Sequence, residues 1–585
     1  MSSESLSSLF YSYLMLRQTI EERREDKDLW TSYRMKPENR GTCLIINNEK
    51  FKTMTEQKGT MMDEVYATQV FQSLGFEVEI YRDCDRKTIL SIIKETAAED
   101  HSQADSLVCI VFSHGDEGRV FGVDGRAVML QELTAPFTGS KCPSLAGKPK
   151  MFFIQACQGE KNNDPVTIEA DSGVVSDAVK PPTIPSEPDF LLAKSTVPTF
   201  CTYGDPGQGF WFIQSLCGLL FALAPRKVDL LSILTRVNED VSAILEFVSS
   251  LRKKVIIPSC GVQIQETSYS MCRIKRSHAS FWTQDCLSSM SALVEVHDRQ
   301  SAGRGRGAGP TSIKHLRQTP TYMGQLLSIN YLRIRKGIEE NKEDKDMFPT
   351  YAMKSEKRGT CLIINNVNFK CLKNREATEI DEIFARSAFP LLGFEVEIYR
   401  DCDRRTILSI IKETAAEDHS QVDSLVCMVF SHGDEGRVFG VDGGAVMLQE
   451  LTAPFTGSKC PSLAGKPKMF FIQAFQGEKN NDPVTIKSDR GVVSDAVKPP
   501  TIPSEPDFLL AKSTVPTNST FTYGDPGQGF WFIQSLCVLL RTLKPRKVDL
   551  LSILTRVIEE VSDKEFNSLT QMPEFVSSLR KKVII

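Results

Sequence analysis

The chain has 585 residues, enough for two to four domains. Its 41% hydrophobic and 25% charged content is that of an ordinary globular protein, and a net charge of −4 gives no electrostatic reason to bind nucleic acid or an anionic membrane surface. No run reaches about 18 uninterrupted apolar residues, so no membrane span is predicted; the most apolar stretch, "GFWFIQSLCGLLFALAP" from Gly209, is broken by Gln214 and Ser215.

The start, "MSSESLSSLFYSYLMLRQTIEERRED", lacks a basic segment before a long apolar run, so no secretory signal is expected. The 16 cysteines include no CxxC pair. Most sit inside apolar runs such as "SLVCIVF" and "QSLCGLL", which points to buried reduced thiols in a cytoplasmic protein and to neither a metal site nor a cofactor.

In chain order, apolar strand-like runs alternate with helical patterns. "CLIIN" at Cys43 precedes "MMDEVYATQVFQSLG", with apolar residues every three to four positions. "FEVEI" at Phe76 precedes "TILSIIKETAAED". "SLVCIVF" at Ser106 and "KMFFIQA" at Lys150 have the composition of fully buried strands. Two helices are predicted over 209–223 and 226–242, then a last strand over 247–257. This alternation predicts a mostly parallel sheet with helices on both faces.

The pattern then repeats. Gly75–Ile168 matches Gly393–Ile486 at a constant offset of 318, with five differences in 94 positions: Lys87/Arg405, Ala104/Val422, Ile110/Met428, Arg126/Gly444 and Cys157/Phe475. "RGTCLIINN" recurs at Arg358, "TYGDPGQGFWFIQSLC" at offset 320 and "FVSSLRKKVII" at offset 328, so copy one is 8 residues shorter just before its last strand. A unit of roughly 250 residues is a whole domain and not a solenoid repeat. The predicted division is a first domain over 1–257, a flexible linker over 258–320 containing "SAGRGRGAGPTS", and a second domain over 321–585.

In open α/β sheets, sites form beyond the carboxyl ends of the strands. "SLVCIVF" ends at "SHGDEG", which places His114 there, and "KMFFI" ends at "QACQG", which places Cys157 there. Copy one's other histidine, His101, lies in the charged stretch "AAEDHSQ" and is read as solvated. A thiol needs a neighbouring base to be a nucleophile at neutral pH. Gly115 and Gly159 would let backbone N–H groups approach a developing oxyanion. On spacing alone, a buried cysteine beside a strand-capping histidine fits as well.

"QACQG", with a histidine 43 residues upstream in "SHGDEG", resembles the caspase signature. "RGTCLIINN", "FTGSKCPSLAGKPKMFFIQACQG", "DFLLAKSTV", "WFIQSLC" and "LRKKV" extend the likeness to initiator caspases of the caspase-8 and caspase-10 type, over about 28–257 and again 345–585. The resemblance implies a caspase-like three-layer α/β sandwich with a six-stranded, mostly parallel sheet, present twice. Each copy would hold a large-subunit and a small-subunit part, in copy one about 28–171 and 178–257. Cys157 would be the nucleophile, His114 the general acid/base, and the N–H groups of Gly115 and Cys157 the oxyanion hole. The Pro-rich stretch from Asn162 to Asp189 would be a cleavable linker, with Asp171 and Asp177 as processing sites; in copy two "IEADS" has become "IKSDR". Tyr203 and Trp211 match residues that shape substrate pockets, although on spacing Trp211 fits a core role equally.

Three departures matter. The sequence starts almost at the catalytic region, with no stretch read as the paired death-effector domains of those initiators, so recruitment to a receptor complex through them is not expected. In copy two, Phe475 replaces the nucleophile while His432 remains. The family's aspartate pocket uses two arginines and a glutamine: Arg40 and Gln155 are matched to two of them, and Arg358 and Gln473 in copy two, but the other arginine falls at Gly204 and Gly524, with Asp205 adding negative charge. Glycine in both copies implies loss of that arginine before duplication. The expected function is a cytoplasmic cysteine endopeptidase of apoptotic signalling, acting on protein substrates through copy one. Copy two would be its pseudoprotease partner, in a dimer paired through "FVSSLRKKVII". The alternative is a non-proteolytic regulator, resembling FLIP-type homologues, that binds initiator caspases.

Overall fold

The computed structural model describes residues 30–57, 59–116, 118–157, 188–195, 210–241, 245–258, 348–375, 377–434, 436–474, 506–513, 529–566 and 569–584. In copy one the strands are β1 (Thr42–Asn47), β2 (Glu77–Arg82), β3 (Leu107–Asp116), β4 (Arg119–Phe121), β5 (Ala127–Met129), β6 (Lys150–Cys157), β7 (Phe190–Ser195) and β8 (Leu245–Ser249). Its helices are α1 (Thr60–Ser73), α2 (Arg86–Ala98), α3 (Leu130–Thr134), α4 (Trp211–Leu223) and α5 (Leu230–Asp240). Copy two repeats the plan with β9 (Gly359–Asn365), β10 (Phe394–Arg400), β11 (Leu425–Ser431), β12 (Gly433–Asp434), β13 (Arg437–Phe439), β14 (Ala445–Met447), β15 (Lys468–Ala474), β16 (Phe508–Lys512), β17 (Glu565–Phe566), β18 (Leu569–Thr570) and β19 (Glu574–Ser577). Its helices are α6 (Thr378–Ala388), α7 (Arg404–Ala416), α8 (Leu448–Thr452), α9 (Trp531–Leu543) and α10 (Leu550–Ser562).

Side-chain alternation along the central strands explains the layers. Cys43 and Ile45 of β1, with Val108, Ile110 and Phe112 of β3, pack under α1, α4 and α5. Leu44 and Ile46, with Leu107, Cys109 and Val111, pack on the opposite face under α2 and α3. Period-two alternation with both faces apolar is what a central parallel strand requires. The edge strand β2, "EVEIYR", is half-buried instead, with charged residues at alternate places. Helices start where side chains cap them: the Asp85 carboxylate accepts from Thr88 N at 2.8 Å, and that of Asp229 from Ser232 N at 3.1 Å. Gly41 enters β1 at φ +104°, where a Cβ would lie 2.0 Å from the Ser106 carbonyl oxygen.

Each copy contributes six strands in the order β2-β1-β3-β6-β7-β8, or β10-β9-β11-β15-β16-β19, the last of each antiparallel to its neighbour. β8 and β19 then pair antiparallel with Val248 opposite Val576, so both sets form one continuous sheet. Phe247 and Phe575 cross beside this seam with ring centroids 6.5 Å apart.

Two sequence expectations need correction here, and one pair of short strands had no reading. The last strand is Leu245–Ser249, not 247–257; beyond it "LRKKVI" makes only isolated bridges, Lys254 with Ser32 and Ile256 with Asp229. His101 is buried, because the loop after α2 folds back and its Nε2 lies 2.7 Å from the Thr96 carbonyl oxygen. The hairpin strands β4 and β5, of three residues each, were too short to stand out in "GRVFGVDGRAVM".

Asp189 ties the copy together below the sheet. It adopts φ +74°, tolerable for an aspartate. Its N–H donates to Ser250 O at 3.0 Å, and its carbonyl accepts from Lys150 N at 2.9 Å. Its buried carboxylate accepts from Tyr33 OH at 2.6 Å and from Arg252 at 2.9 and 2.7 Å. Removing the arginine leaves a buried charge with one hydroxyl partner. Arg252→Met is therefore expected to cost about 3–5 kcal/mol in urea unfolding, and Asp189→Asn in the same background to recover part of it.

Candidate active site

β3 and β6 run parallel in register from Leu107/Lys150 to His114/Cys157, so the two residues stand opposite each other on neighbouring strand ends. Adjacent strands put their Cα atoms about 5 Å apart. The His114 ring is buried, 4.5 Å centroid to centroid from Phe51, and its Nε2 lies 2.8 Å from the Thr55 carbonyl oxygen. A carbonyl can only accept, so Nε2 carries the hydrogen and, in the neutral ring, Nδ1 presents the lone pair. Nδ1 is buried and has no hydrogen-bond partner among the described residues. The arrangement leaves one basic nitrogen for a proton acceptor's task.

Gly115 follows, in a position with no room: a Cβ would come within 2.7 Å of the Ala156 Cβ and 2.6 Å of the Arg119 carbonyl oxygen. Gln155 is buried on β6 and, two residues before Cys157, shares its face of the strand. Trp211 opens α4 and is 48% exposed, whereas Trp531 in copy two is 4% exposed with Lys564 Nζ 5.6 Å from its ring centroid. Lys564 belongs to the stretch that copy one lacks. The α4 start is held by Asp63 of α1, whose buried carboxylate accepts from Phe210 N at 2.8 and 3.1 Å; burial pushes this carboxyl well above the usual range. Tyr203, Gly204, Asp171, Asp177, Phe475 and Gly524 lie outside the described residues, as does the Cys157 side chain.

Arg40 is not brought to this site. It precedes β1 at the amino end of the sheet, where Ser106 Oγ donates to its carbonyl oxygen at 2.7 Å. From Ser106 to His114 is about 25 Å of extended strand. The Arg40 guanidinium is fully buried and donates to the Pro258 carbonyl oxygen at 2.6 Å. Arg358 occupies the matching place before β9, its N–H donating to Gly393 O at 2.8 Å. Both arginines sit at the wrong end of the strands for a pocket beside Cys157.

Sequence reasoning missed the residues that do stand at the carboxyl end. Gln57 lies two residues beyond Thr55; its N–H donates to Glu49 O at 3.0 Å, and its buried side-chain amide makes no hydrogen bond among the described residues. The same backbone bond in copy two joins Arg375 N to Val367 O at 2.9 Å, so Arg375 is the counterpart of Gln57. Arg375 is buried, its Nη2 donates to Gln473 O at 3.4 Å, and its Cζ lies 4.9 Å from the Phe530 ring centroid. Burial lowers its pKa to about 10, with Asp381 opposing the fall. His432 keeps the geometry of His114, Nε2 lying 2.7 Å from Lys373 O; burial lowers its pKa, the Lys373 bond opposes this, and Arg375 lowers it further. The signal was available: the 48–74 and 366–392 stretches are where the copies diverge most, and one places arginine where the other has glutamine.

A strand-end histidine in register with a strand-end cysteine, in a six-stranded sheet between two helical layers, gives copy one the arrangement of a thiol-peptidase type of α/β domain, and copy two repeats the fold with phenylalanine at the cysteine's place. The caspase domain family model matches residues 40–275 and again 358–584, and the chain belongs to the caspase family. It is 41% identical to caspase-8 of Rattus norvegicus over 253 residues, 39% of this chain and 52% of that protein. It is 42% identical to caspase-8 of Mus musculus over 244 residues, 38% of this chain and 50% of that protein, and 43% identical to caspase-3 of Mesocricetus auratus over 219 residues, 37% and 77%. The chain thus spans about half the length of the two caspase-8 relatives.

The thiols separate by environment. Burial raises Cys84 and Cys109 to about 12 and pushes Cys43 and Cys217 up as well. Alkylation with iodoacetamide at pH 7 should spare these four and modify Cys157. His114→Ala should slow labelling of Cys157 at least tenfold, read by peptide mass spectrometry; an unchanged rate would separate the histidine from the thiol.

Proposed function

We propose that the protein is a caspase-type cysteine endopeptidase of apoptotic signalling, acting through copy one, with copy two as its nucleophile-free partner in the same chain. The observation that carries the reading is the strand-end register of His114 with Cys157, together with the Thr55 carbonyl that fixes the imidazole tautomer. Cys157 Sγ loses its proton to Nδ1 and attacks the scissile carbonyl. The oxyanion forms beside the N–H groups of Gly115 and Cys157, the imidazolium protonates the leaving amine, and water hydrolyses the thioester. Of the eleven cysteines whose side chains are described, ten are buried and all are unbridged, which suits a reducing cytoplasm. Processing after Asp171 or Asp177 belongs to the same reading.

The pocket of copy one is the point where this chain departs from an aspartate-specific enzyme. With Arg40 at the far end of the sheet, Gln57 at the place of Arg375, and Gly204 where the resemblance puts an arginine, none of these three places gives copy one an arginine to meet a substrate carboxylate. Gln57 and Gln155 present neutral amides, suited to an uncharged polar side chain. Each missing charge pair is worth roughly 30- to several thousand-fold in kcat/KM.

The paired test uses the full chain on one aspartyl tetrapeptide and its asparaginyl twin. The natural protein is expected to cleave the aspartyl peptide poorly, Gln57→Arg/Gly204→Arg to gain at least 30-fold on it, and Cys157→Ala to be inert on both. Activity surviving in Cys157→Ala would show a different nucleophile. A folded Gln57→Arg/Gly204→Arg protein, inert on every peptide, would favour the second reading, a non-proteolytic regulator that binds initiator caspases; the loss of the copy-two nucleophile at Phe475 is the observation on its side.

A further inference from the structure

The seam between the copies is not symmetric. Thr31, beside the bridge of Ser32 with Lys254, donates its hydroxyl to Glu559 of α10 at 2.7 Å. The matching bridge in copy two, Thr350 with Lys582, makes Pro349 the counterpart of Thr31, and proline carries no such donor. Asn238 of α5 is fully buried; its Nδ2 donates to the Leu579 carbonyl oxygen at 3.3 Å and its Oδ1 accepts from Leu245 N at 3.1 Å. Its counterpart on α10 is Ile558, buried and without a side-chain polar atom. Arg252 also stands 4.0 Å from Asp563, in the region where copy two is longer, but Asp563 is 67% exposed and such a pair contributes little.

We propose that the pairing face of copy two takes a copy-one-type domain and rejects a second copy two. The inference rests on the pairing of the copies in the function proposed above. A pair of two copy-two domains would set the Leu579 carbonyl against Ile558 and Glu559 against Pro349 on both sides of the seam, losing both hydrogen bonds and gaining none. A buried acceptor left unmet is more costly than a hydrogen bond is stabilising, so the loss weighs against that assembly. Copy one keeps Thr31 and Asn238 together with its own Glu239 and the Leu251 carbonyl, so its face carries no such restriction. Copy two has therefore diverged at its pairing face as well as at Phe475, in a direction that makes it dependent on copy one.

The test is hydrogen exchange on the full chain, following the amides of β8 and β19, with β1, β3, β9 and β11 as internal controls for folding. Thr31→Val/Asn238→Leu gives copy one the apolar face of copy two; protection at β8 and β19 is expected to fall about tenfold or more while the controls hold. Adding Pro349→Thr/Ile558→Asn moves both donors to the other side, facing Glu239 and the Leu251 carbonyl, and is expected to restore protection. No protection at β8 and β19 in the natural chain would overturn the pairing itself. Full protection in Thr31→Val/Asn238→Leu would overturn the selective face alone. A loss that the four-residue exchange fails to restore would assign Asn238 to Leu245 within copy one and overturn it too.

Discussion

Eight consecutive residue pairs between β3 and β6 are the constraint on which the site depends. A slip of one residue would turn Cys157 and Gln155 to the opposite face and move His114 off its partner. Such a slip is blocked because both faces of both strands are buried: Val108, Ile110, Phe112, Met151 and Phe153 on one side, Leu107, Cys109, Val111, Phe152 and Ile154 on the other. The two helical layers thus do more than cover the sheet. They set the register that places His114 and Cys157 opposite each other on neighbouring strand ends, and the Thr55 carbonyl then fixes which imidazole nitrogen carries the hydrogen.

The layered fold and the strand-end pair were legible in the sequence, because period-two and period-3.6 patterns are long-range averages over many residues. "SLVCIVF" and "KMFFIQA" became β3 and β6 nearly as read, and the repeat became a second set of strands in the same order. What could not be read was anything decided by where a loop returns. His101 looked solvated from its charged neighbours, yet the loop folds it onto the Thr96 carbonyl. Arg40 looked like a pocket residue from its place in "RGTCLIINN", yet that motif enters β1 from the end opposite Cys157. Gly41 in the same motif is explained by a backbone turn against Ser106 and not by a ligand. Gln57 and Arg375 carry no periodic signal, since their importance comes from the turn that carries the Thr55 or Lys373 carbonyl to the histidine.

Divergence between the copies is not spread evenly. Gly75–Ile168 and its repeat are almost unchanged, which preserves β2, α2, β3 and most of β6 together. Change falls outside it, in the stretch from β1 into α1, in the second half of α4 and in the region joining the last helix to the last strand, and within it Cys157/Phe475 is one of only five differences. In three dimensions these include the loop that holds the histidine, the seam between copies with the neighbourhood of Trp531, and the strand-end position opposite His114. The sheet interiors tolerate little because a changed volume is felt across both layers. The regions that change include the loop beside His114 and the seam where the halves meet.

The contrast between Gln57 and Arg375 shows the energetic side of that divergence. A guanidinium buried beside Gln473 carries a desolvation penalty large enough to pull its pKa down to about 10, and Asp381 offsets only part of it. Asp381 is itself pushed well above the usual carboxyl range by burial, despite the Phe530 N–H and Arg375. Copy one has the same buried aspartate, Asp63, bonded to Phe210 N, but glutamine in place of the arginine. Removing the cation relieves a desolvation cost and, with it, the means of meeting an anionic ligand. The buried charge is therefore present in the copy with Phe475 and absent from the copy with Cys157. In copy two the contacts that hold the buried cation are the face of Phe530, the Gln473 carbonyl and the field of Asp381.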